Sequence, residues 1–168
     1  MNKIMLALSV ALILTGSHFS LLAADQVAVN SDGTLPDHNL TPGAVRTTDR
    51  EEICTTPTSR VRNVPDSLKQ AVRLRYGMKG KRDLWCNSEE ACEIDHLIPL
   101  AVGGSNDITN LWPQPYEGPW NAHHKDQLEV KMRRMVCKGL IGVPEAQALF
   151  AGDWTAAYKT YVSPTPKG

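Results

Sequence analysis

Apolar residues recur at helical spacing in two long segments of the chain. Residues 64–76 and residues 120–138 each carry one apolar stripe, and Asn121 is a candidate N-cap for the second helix. Shorter patterns predict two further helices, one opening at Pro144 and one capped by Asp153. The stripe residues are Leu68, Ala71, Val72 and Tyr76 in the first helix and Leu128, Met132, Met135 and Val136 in the second.

Two short strands are predicted between the long helices. Residues 93–98 read as a strand in which Asp95 points to one face and His96 to the other. Residues 108–112 form the second strand, and Pro113 is expected to end it. A turn-rich loop joins the strands. The predicted fold class is therefore α+β.

The start of the chain reads as a signal peptide. Lys3 supplies a positive charge, residues 4–14 are almost wholly apolar, and Ala23-Ala24 precede a cleavage site before Asp25. A membrane anchor is the alternative, but the apolar run is short for spanning a bilayer. We expect a periplasmic or secreted protein with no stable membrane insertion after the signal is cleaved.

The length of 168 residues allows one domain, and 42% hydrophobic residues suffice for a packed core. Turn-forming residues dominate after the signal and show no apolar period, which is typical of a flexible arm. We divide the chain into a signal peptide (1–24), a flexible N-terminal arm (25–52), one domain (53–163) and a frayed tail (164–168).

Four cysteines in an exported chain indicate two disulfides, for which three pairings exist. Cys86 and Cys92 flank a short polar loop and can close it. Cys54 with Cys137 would then tie the start of the domain to its last third. A zinc site made of all four is the alternative, but the spacings lack paired C-x2-4-C knuckles. We expect a disulfide-stabilised domain.

Charge is distributed unevenly along a chain of zero formal net charge. Between Arg60 and Arg82 stand eight basic residues and one acid, Asp66. Such a patch can neutralise phosphates and predicts nucleic acid as the partner, whereas the alternative is a solvated helix face. The predicted phosphate-binding residues are Lys69, Arg73, Lys79, Lys81 and Arg82, together with Lys125.

The candidate chemistry is concentrated in residues 93–129. Asp95-His96, Asn110 and His123 place a carboxylate, an imidazole, an amide and a second imidazole in one short segment. These are the parts of a one-metal hydrolytic site. Because His96 faces away from Asp95 on the strand, it can act as a general base while Asp95 holds a cation.

This segment resembles the HNH endonucleases. The similarity extends to small secreted bacterial HNH proteins that carry an NLWPQP segment followed by a Lys-Asp-x-x-Glu helix. It implies a ββα-metal core flanked by additional helices. The matching residues are Asp95-His96, Pro99, Gly103-Gly104, Asn110-Leu111 and His123, with Lys125, Asp126 and Glu129 in the helix.

The resemblance implies a role for each site residue. Asp95 and His123 would hold a divalent ion, His96 would be the general base, and Asn110 would steady the loop that carries the base or approach the metal. A carboxylate ligand suits Mg²⁺ or Mn²⁺, and a histidine partner also admits Zn²⁺ or Ni²⁺. Candidates for an extra ligand or a supporting contact are Glu93, His124 and Asp126.

The predicted function is a metal-dependent endonuclease that hydrolyses phosphodiester bonds. Such a site grips the backbone rather than base edges, so sequence preference is expected to be weak. DNA is favoured over RNA as the substrate. The alternative is an exported HNH-like module that binds nucleic acid or a partner without cutting. It is kept open by a longer gap before His123 and by the lack of paired zinc cysteines.

Overall fold

The computed structural model describes residues 34–78 and 91–164. Several sequence predictions concern residues outside these ranges and are not addressed by the structure. They are the signal peptide (1–24), the first part of the arm (25–33), Lys79, Lys81, Arg82, Cys86 and the last four residues of the tail (165–168).

The described part contains six α-helices and a two-stranded antiparallel sheet, which confirms the α+β class. Short 3-10 turns at Leu100–Val102 and Ile108–Asn110 lie between the strands. The elements in chain order are α1 (Arg50–Thr55), α2 (Thr58–Val61), α3 (Asp66–Arg75), β1 (Cys92–His96), β2 (Leu111–Pro115), α4 (Ala122–Cys137), α5 (Val143–Ala151) and α6 (Trp154–Tyr161).

The second strand differs from the prediction, because it continues through both of its prolines. In the register, Asp95 lies opposite Trp112. Just beyond the two ends of the paired strands, the carbonyl of Asn110 accepts from the N–H of Leu97, and the N–H of Tyr116 donates to the carbonyl of Ala91. Even-numbered residues of β2 therefore supply the hydrogen-bonding groups, and the proline nitrogens at odd positions point away from β1. In a two-stranded sheet that side is an edge, where proline is tolerated.

The ends of the predicted helices are confirmed by their caps. Asn121 caps α4, since its side chain accepts a hydrogen bond from the backbone N–H of His124. Asp153 caps α6 by accepting from two backbone N–H groups. Pro144 lies in the first turn of α5. Gly77, which follows α3, has a φ of 71° that favours glycine and stops the helix.

The hydrophobic core lies where α1, α4, α5 and α6 meet the first 3-10 turn. The sheet lies to one side of this core, with α3 packed against β2. Residues at the centre of the core are fully buried and include Leu128, Met132, Val136, Phe150, Trp154 and Tyr158. The apolar stripe predicted for α4 thus supplies one wall of the core.

Residues 34–49 belong to the segment predicted as a flexible arm, and they contact the rest of the domain. The hydroxyl of Thr41 donates to the carbonyl of Leu111 at 3.0 Å. The backbone N–H of Gly43 donates to the carbonyl of Thr109 at 3.0 Å. The Trp154 indole donates to the carbonyl of Thr34 at 2.9 Å. This stretch therefore lies along β2 and its preceding turn.

The predicted disulfide between Cys54 and Cys137 is confirmed, and it joins α1 to α4 with a Cα–Cα distance of 5.7 Å. Cys92 is also disulfide-bonded. Its pairing with Cys86 stays a prediction, because Cys86 lies outside the described residues. In the part of the chain that the structure describes, no helix has the length and apolar character to cross a membrane.

We predict that the Cys54→Ala/Cys137→Ala double variant loses about 4 kcal/mol of stability, because the bond closes a loop of 83 residues and restricts the unfolded chain. Denaturant unfolding of both proteins measures the difference. Under reducing conditions the two proteins should unfold at similar denaturant concentrations. Equal midpoints for oxidised wild type and variant would show that the bond contributes little.

Candidate active site at the end of the first strand

The last two residues of β1 present the candidate chemistry to opposite sides of the sheet. The Asp95 carboxylate faces α4, where it accepts a hydrogen bond from Lys125. The His96 ring faces the loop between the two 3-10 turns, where it contacts Asn106, whose amide in turn binds the end of α2. The alternation predicted from the strand pattern is therefore present, and the carboxylate and the imidazole have separate environments.

The side chain of Asn110 fixes the backbone that follows β1. Its Oδ1 accepts from the N–H groups of Ile98 at 2.9 Å and Ala44 at 3.2 Å. Its Nδ2 donates to the carbonyls of Ile98 at 2.9 Å and Ser105 at 2.8 Å. Asn110 is fully buried, and all four of its hydrogen-bonding positions are used. It steadies the loop after His96, which is one of the two roles that the resemblance implied.

Two glycines allow this loop to turn back on itself. Gly103 has a φ of 91°, which other residues rarely adopt. A Cβ on Gly104 would lie 1.7 Å from the carbonyl oxygen of Ile98. The Gly103-Gly104 pair is therefore required for the close approach that Asn110 holds in place.

Asn106 determines which nitrogen of His96 carries the proton. The Asn106 amide is oriented by two bonds: its Oδ1 accepts from the N–H of Asn63 at 3.1 Å, and its Nδ2 donates to the carbonyl of Val61 at 2.7 Å. Nε2 of His96 lies 3.1 Å from that Oδ1 and must donate to it. In the neutral ring the lone pair is then on Nδ1, which no hydrogen bond reaches among the described residues.

His96 is held in its neutral form. Burial lowers the pKa of His96, with a smaller contribution from the Arg62 guanidinium, and the Asp95 carboxylate opposes this shift only in part. The residue is 2% exposed. Neutral imidazole with a free Nδ1 lone pair is the form that a general base requires.

Lys125 binds the carboxylate that was predicted to hold a metal. Its Nζ lies 2.5 Å from Oδ2 of Asp95 and 2.6 Å from the carbonyl oxygen of His96. The side chain is 1% exposed, so this lysine does not lie on a phosphate-binding surface as the sequence had predicted. Burial opposes ionisation of Asp95, yet the ammonium group, with smaller contributions from His96, outweighs burial and lowers the pKa of this carboxyl.

Three other carboxyl groups surround Asp95 and behave in the opposite way. Burial, with the Asp95 charge as the next cause, raises the pKa values of Glu93 and Asp126. Burial raises the pKa of Glu129 to about 7, and the Asp95 and Asp126 charges add to the effect, while Lys125 opposes it. Glu93 also accepts a hydrogen bond from the Tyr116 hydroxyl at 3.1 Å. We call Glu93, Asp95, Asp126 and Glu129 the acidic cluster.

The two adjacent histidines of α4 differ in their surroundings. The His123 ring is exposed and stacks on Tyr116, with ring centroids 5.7 Å apart. The His124 ring is buried between Trp120 and Tyr158. Its Nδ1 accepts from the backbone N–H of Asn121 at 3.5 Å, as part of the helix cap. His124 is therefore a core and capping residue.

The predicted metal ligands do not form a ready site for a divalent ion. Within residues 34–78 and 91–164, no three His, Cys, Asp or Glu side chains are grouped to hold a metal. The contacts of the described residues also do not join His123 to Asp95. Because the Lys125 ammonium already binds Oδ2 of Asp95, an ion at that oxygen would meet a like charge. The arrangement therefore does not fit the predicted ion unless Lys125 moves.

A cavity of about 340 Å³ opens beside β1 and brings together basic residues from two elements. Lys69 and Arg73 of α3, both predicted to bind phosphate, line it with Arg62. Lys69 also pairs with Asp66 at 3.2 Å, an exposed contact of small energetic weight. Glu93 and Tyr116 form the side of the cavity next to the acidic cluster. The cavity thus has the charge that an anion requires.

Sequence reasoning missed the roles of Arg62, Asn106 and Lys125. Arg62 is exposed, lines the cavity and acts electrostatically on His96, so it connects the cavity with the histidine. One signal was readable for Lys125, since it shares helical spacing with the buried residues Leu128 and Met132. A lysine in a buried stripe requires a partner. No signal identified Asn106, whose contacts depend on the folded loop.

Comparison with known proteins adds no assignment: no family model, curated protein or solved structure matches the chain.

We predict that Asn106→Asp raises the pKa of His96, because a carboxylate beside Nε2 stabilises the imidazolium. In the unmutated protein, the imidazolium of His96 should be lost at lower pH than that of an exposed histidine. The variant should move this transition to higher pH. NMR titration of the histidine ring protons measures both, and Asn39→Asp, in an exposed loop, is the matched control. An unchanged titration in Asn106→Asp would show that the contact does not form.

Proposed function

We propose that the protein is an endonuclease that hydrolyses phosphodiester bonds of nucleic acid with weak sequence preference. The observation that carries the proposal is the state of His96. Its Nε2 is tied to Asn106 and its pKa is lowered by burial, so Nδ1 has the lone pair of a general base. This base ends β1 beside Asp95, and Asn110 fixes the loop that follows it. Arg62, which acts electrostatically on His96, lines a cavity with two further cations.

The chemistry follows from these positions. Nδ1 of His96 takes a proton from a water molecule as the water oxygen forms a bond to the scissile phosphorus. The bond between phosphorus and the 3′ oxygen breaks, and that oxygen takes a proton from solvent. The products are a 5′ phosphate and a 3′ hydroxyl. Arg62 lines the cavity and acts electrostatically on His96, so it can offset the charge that develops on the phosphate.

The cavity supports nucleic acid as the substrate. Arg62, Lys69 and Arg73 present guanidinium and ammonium groups, which bind phosphate oxygens without reading the bases. The observed cations thus favour contacts along a backbone, and DNA is the proposed substrate. A divalent ion at Asp95 and His123 stays a prediction from the sequence, and no step above depends on it. A periplasmic or secreted location is likewise proposed, and the Cys54–Cys137 disulfide is compatible with it.

We predict that the purified protein nicks supercoiled plasmid and that His96→Ala lowers the rate by about 10²–10⁴-fold, the usual contribution of a general base. Gel electrophoresis of plasmid over time measures the rate. His38→Ala is the matched control, because His38 lies in the loop before α1 and outside this site.

The same assay is run with EDTA and with each of Mg²⁺, Mn²⁺, Zn²⁺ and Ni²⁺, on plasmid and on RNA. Equal rates for His96→Ala and the unmutated protein would contradict the assignment of the base. If the unmutated protein cuts neither substrate under any condition, the endonuclease proposal fails and a non-catalytic binding module replaces it.

We also predict that Lys69→Glu/Arg73→Glu weakens binding to duplex DNA of every sequence and lowers its salt dependence, because fewer counterions are released. Fluorescence anisotropy at several salt concentrations measures both quantities. Lys131→Glu/Lys138→Glu, at exposed positions on and just after α4, makes the same charge change away from the cavity. Equal losses in both double variants would mean that net charge, rather than the cavity, determines binding.

A further inference from the structure

Lys125 has an unusual position for a lysine. It extends from the second turn of α4 beneath the end of β1 and is 1% exposed. Its Nζ is surrounded by a carboxylate oxygen of Asp95, the carbonyl oxygen of His96 and the face of the Phe150 ring, 5.7 Å from the ring centroid. Each of these groups favours a positive charge.

The oxygen atoms that bind this ammonium are the kinds that bind hard metal ions. Carboxylates and backbone carbonyls are preferred ligands of Mg²⁺ and Ca²⁺. Nζ lies 2.5 Å and 2.6 Å from its two oxygens, which places it at the point where an ion shared by Asp95 and the His96 carbonyl would be. A divalent ion and Nζ cannot both occupy that point.

The surrounding charges make the ammonium group necessary. The acidic cluster holds four carboxyl groups. Among the described residues, the basic side chains that act on Asp126 and Glu129 are Lys125 and the exposed Arg62, with His123 acting on Asp126 as well. Loss of the Lys125 charge would leave Asp95 without its partner, next to the other carboxyl groups. A vacated position lined by oxygen ligands of excess negative charge would then favour a divalent ion.

We propose that Lys125 is a positioning residue whose ammonium group replaces a divalent ion at Asp95, so that the site binds no metal there and hydrolysis proceeds without one. Lys125 orients Asp95 and the end of β1, which carries His96, and does not touch the substrate. The catalytic part rests on the proposed function. The binding part, that Asp95 holds an ammonium and not a metal, does not depend on activity.

The binding part is tested with Mn²⁺ alone, by calorimetric titration and by the melting temperature with and without the ion. We expect the unmutated protein to show no saturable Mn²⁺ binding at Asp95. Asp95→Asn should therefore leave the titration unchanged. Lys125→Gln should gain a Mn²⁺ site and a higher melting temperature in its presence, since a ligand of the folded state stabilises it. Lys125→Gln/Asp95→Asn should lose that gain. Lys131→Gln, on the exposed side of the same helix, is the control.

Two results would overturn the proposal. One is saturable Mn²⁺ binding by the unmutated protein that is lost in Asp95→Asn. The other is a folded Lys125→Gln variant that gains no Mn²⁺ site. If Lys125→Gln does not fold, titration of the unmutated protein and Asp95→Asn still decides the question, because neither requires a change at Lys125.

The catalytic part is tested by plasmid nicking. The unmutated protein should cut plasmid in EDTA. Lys125→Gln should cut about 10–100-fold more slowly in EDTA, which is the range seen when a residue that supports a site ligand is removed. Mn²⁺ should restore the cutting rate of Lys125→Gln. The Lys131→Gln control should cut at the unmutated rate with or without Mn²⁺. A purely structural lysine would give no rescue by Mn²⁺. If the unmutated protein cuts only with added metal, this inference is overturned and the endonuclease proposal stays intact. If it does not cut under any condition, the endonuclease proposal is overturned.

Discussion

The buried amide of Asn110 is the contact on which the candidate site depends. It supplies two donors and two acceptors to backbone groups of three segments: the chain after β1, the loop before β2 and the N-terminal stretch around Ala44. A buried backbone group that loses its partner costs roughly 1–3 kcal/mol, so one side chain accounts for much of the local stability. Because the amide holds both the N–H and the carbonyl of Ile98, it fixes the direction in which β1 ends. The positions of Asp95 and His96 follow from that direction.

Alternation along β1 then separates the chemistry into two environments. On one side, His96 meets the neutral amide of Asn106 and is kept uncharged by burial. On the other side, Asp95 meets the ammonium of Lys125 and is kept charged. Two adjacent residues are therefore both deprotonated at neutral pH, but His96 is then uncharged and Asp95 is an anion. This separation is what allows a base and an anchored anion to coexist within one dipeptide.

Much of the fold could be predicted because its signals are local. Helical spacing, caps such as Asn121 and Asp153, and the alternation of β1 depend on residues close in sequence. The end of β2 could not be predicted in this way. Whether Pro113 ends the strand depends on whether its nitrogen faces the neighbouring strand or the open edge of the sheet. The metal assignment raised the same difficulty. The sequence placed Asp95 and His123 near each other, but it could not show that Lys125 reaches Asp95 first, because that contact depends on how α4 packs against the sheet.

The carboxyl groups of the site show how one contact determines which of them is ionised. Glu93 and Asp95 point to the same face of β1, and burial acts on both. Asp95 receives the charged ammonium, which lowers its pKa, whereas Glu93 receives the neutral Tyr116 hydroxyl, which does not overcome burial and the Asp95 charge. Burial raises the pKa of Glu129 to about 7, and the Asp95 charge adds to the effect. Burial, reinforced by the charge of Asp95, therefore raises the pKa values of the carboxyl groups around it, and the Lys125 ammonium determines which carboxyl remains the anion.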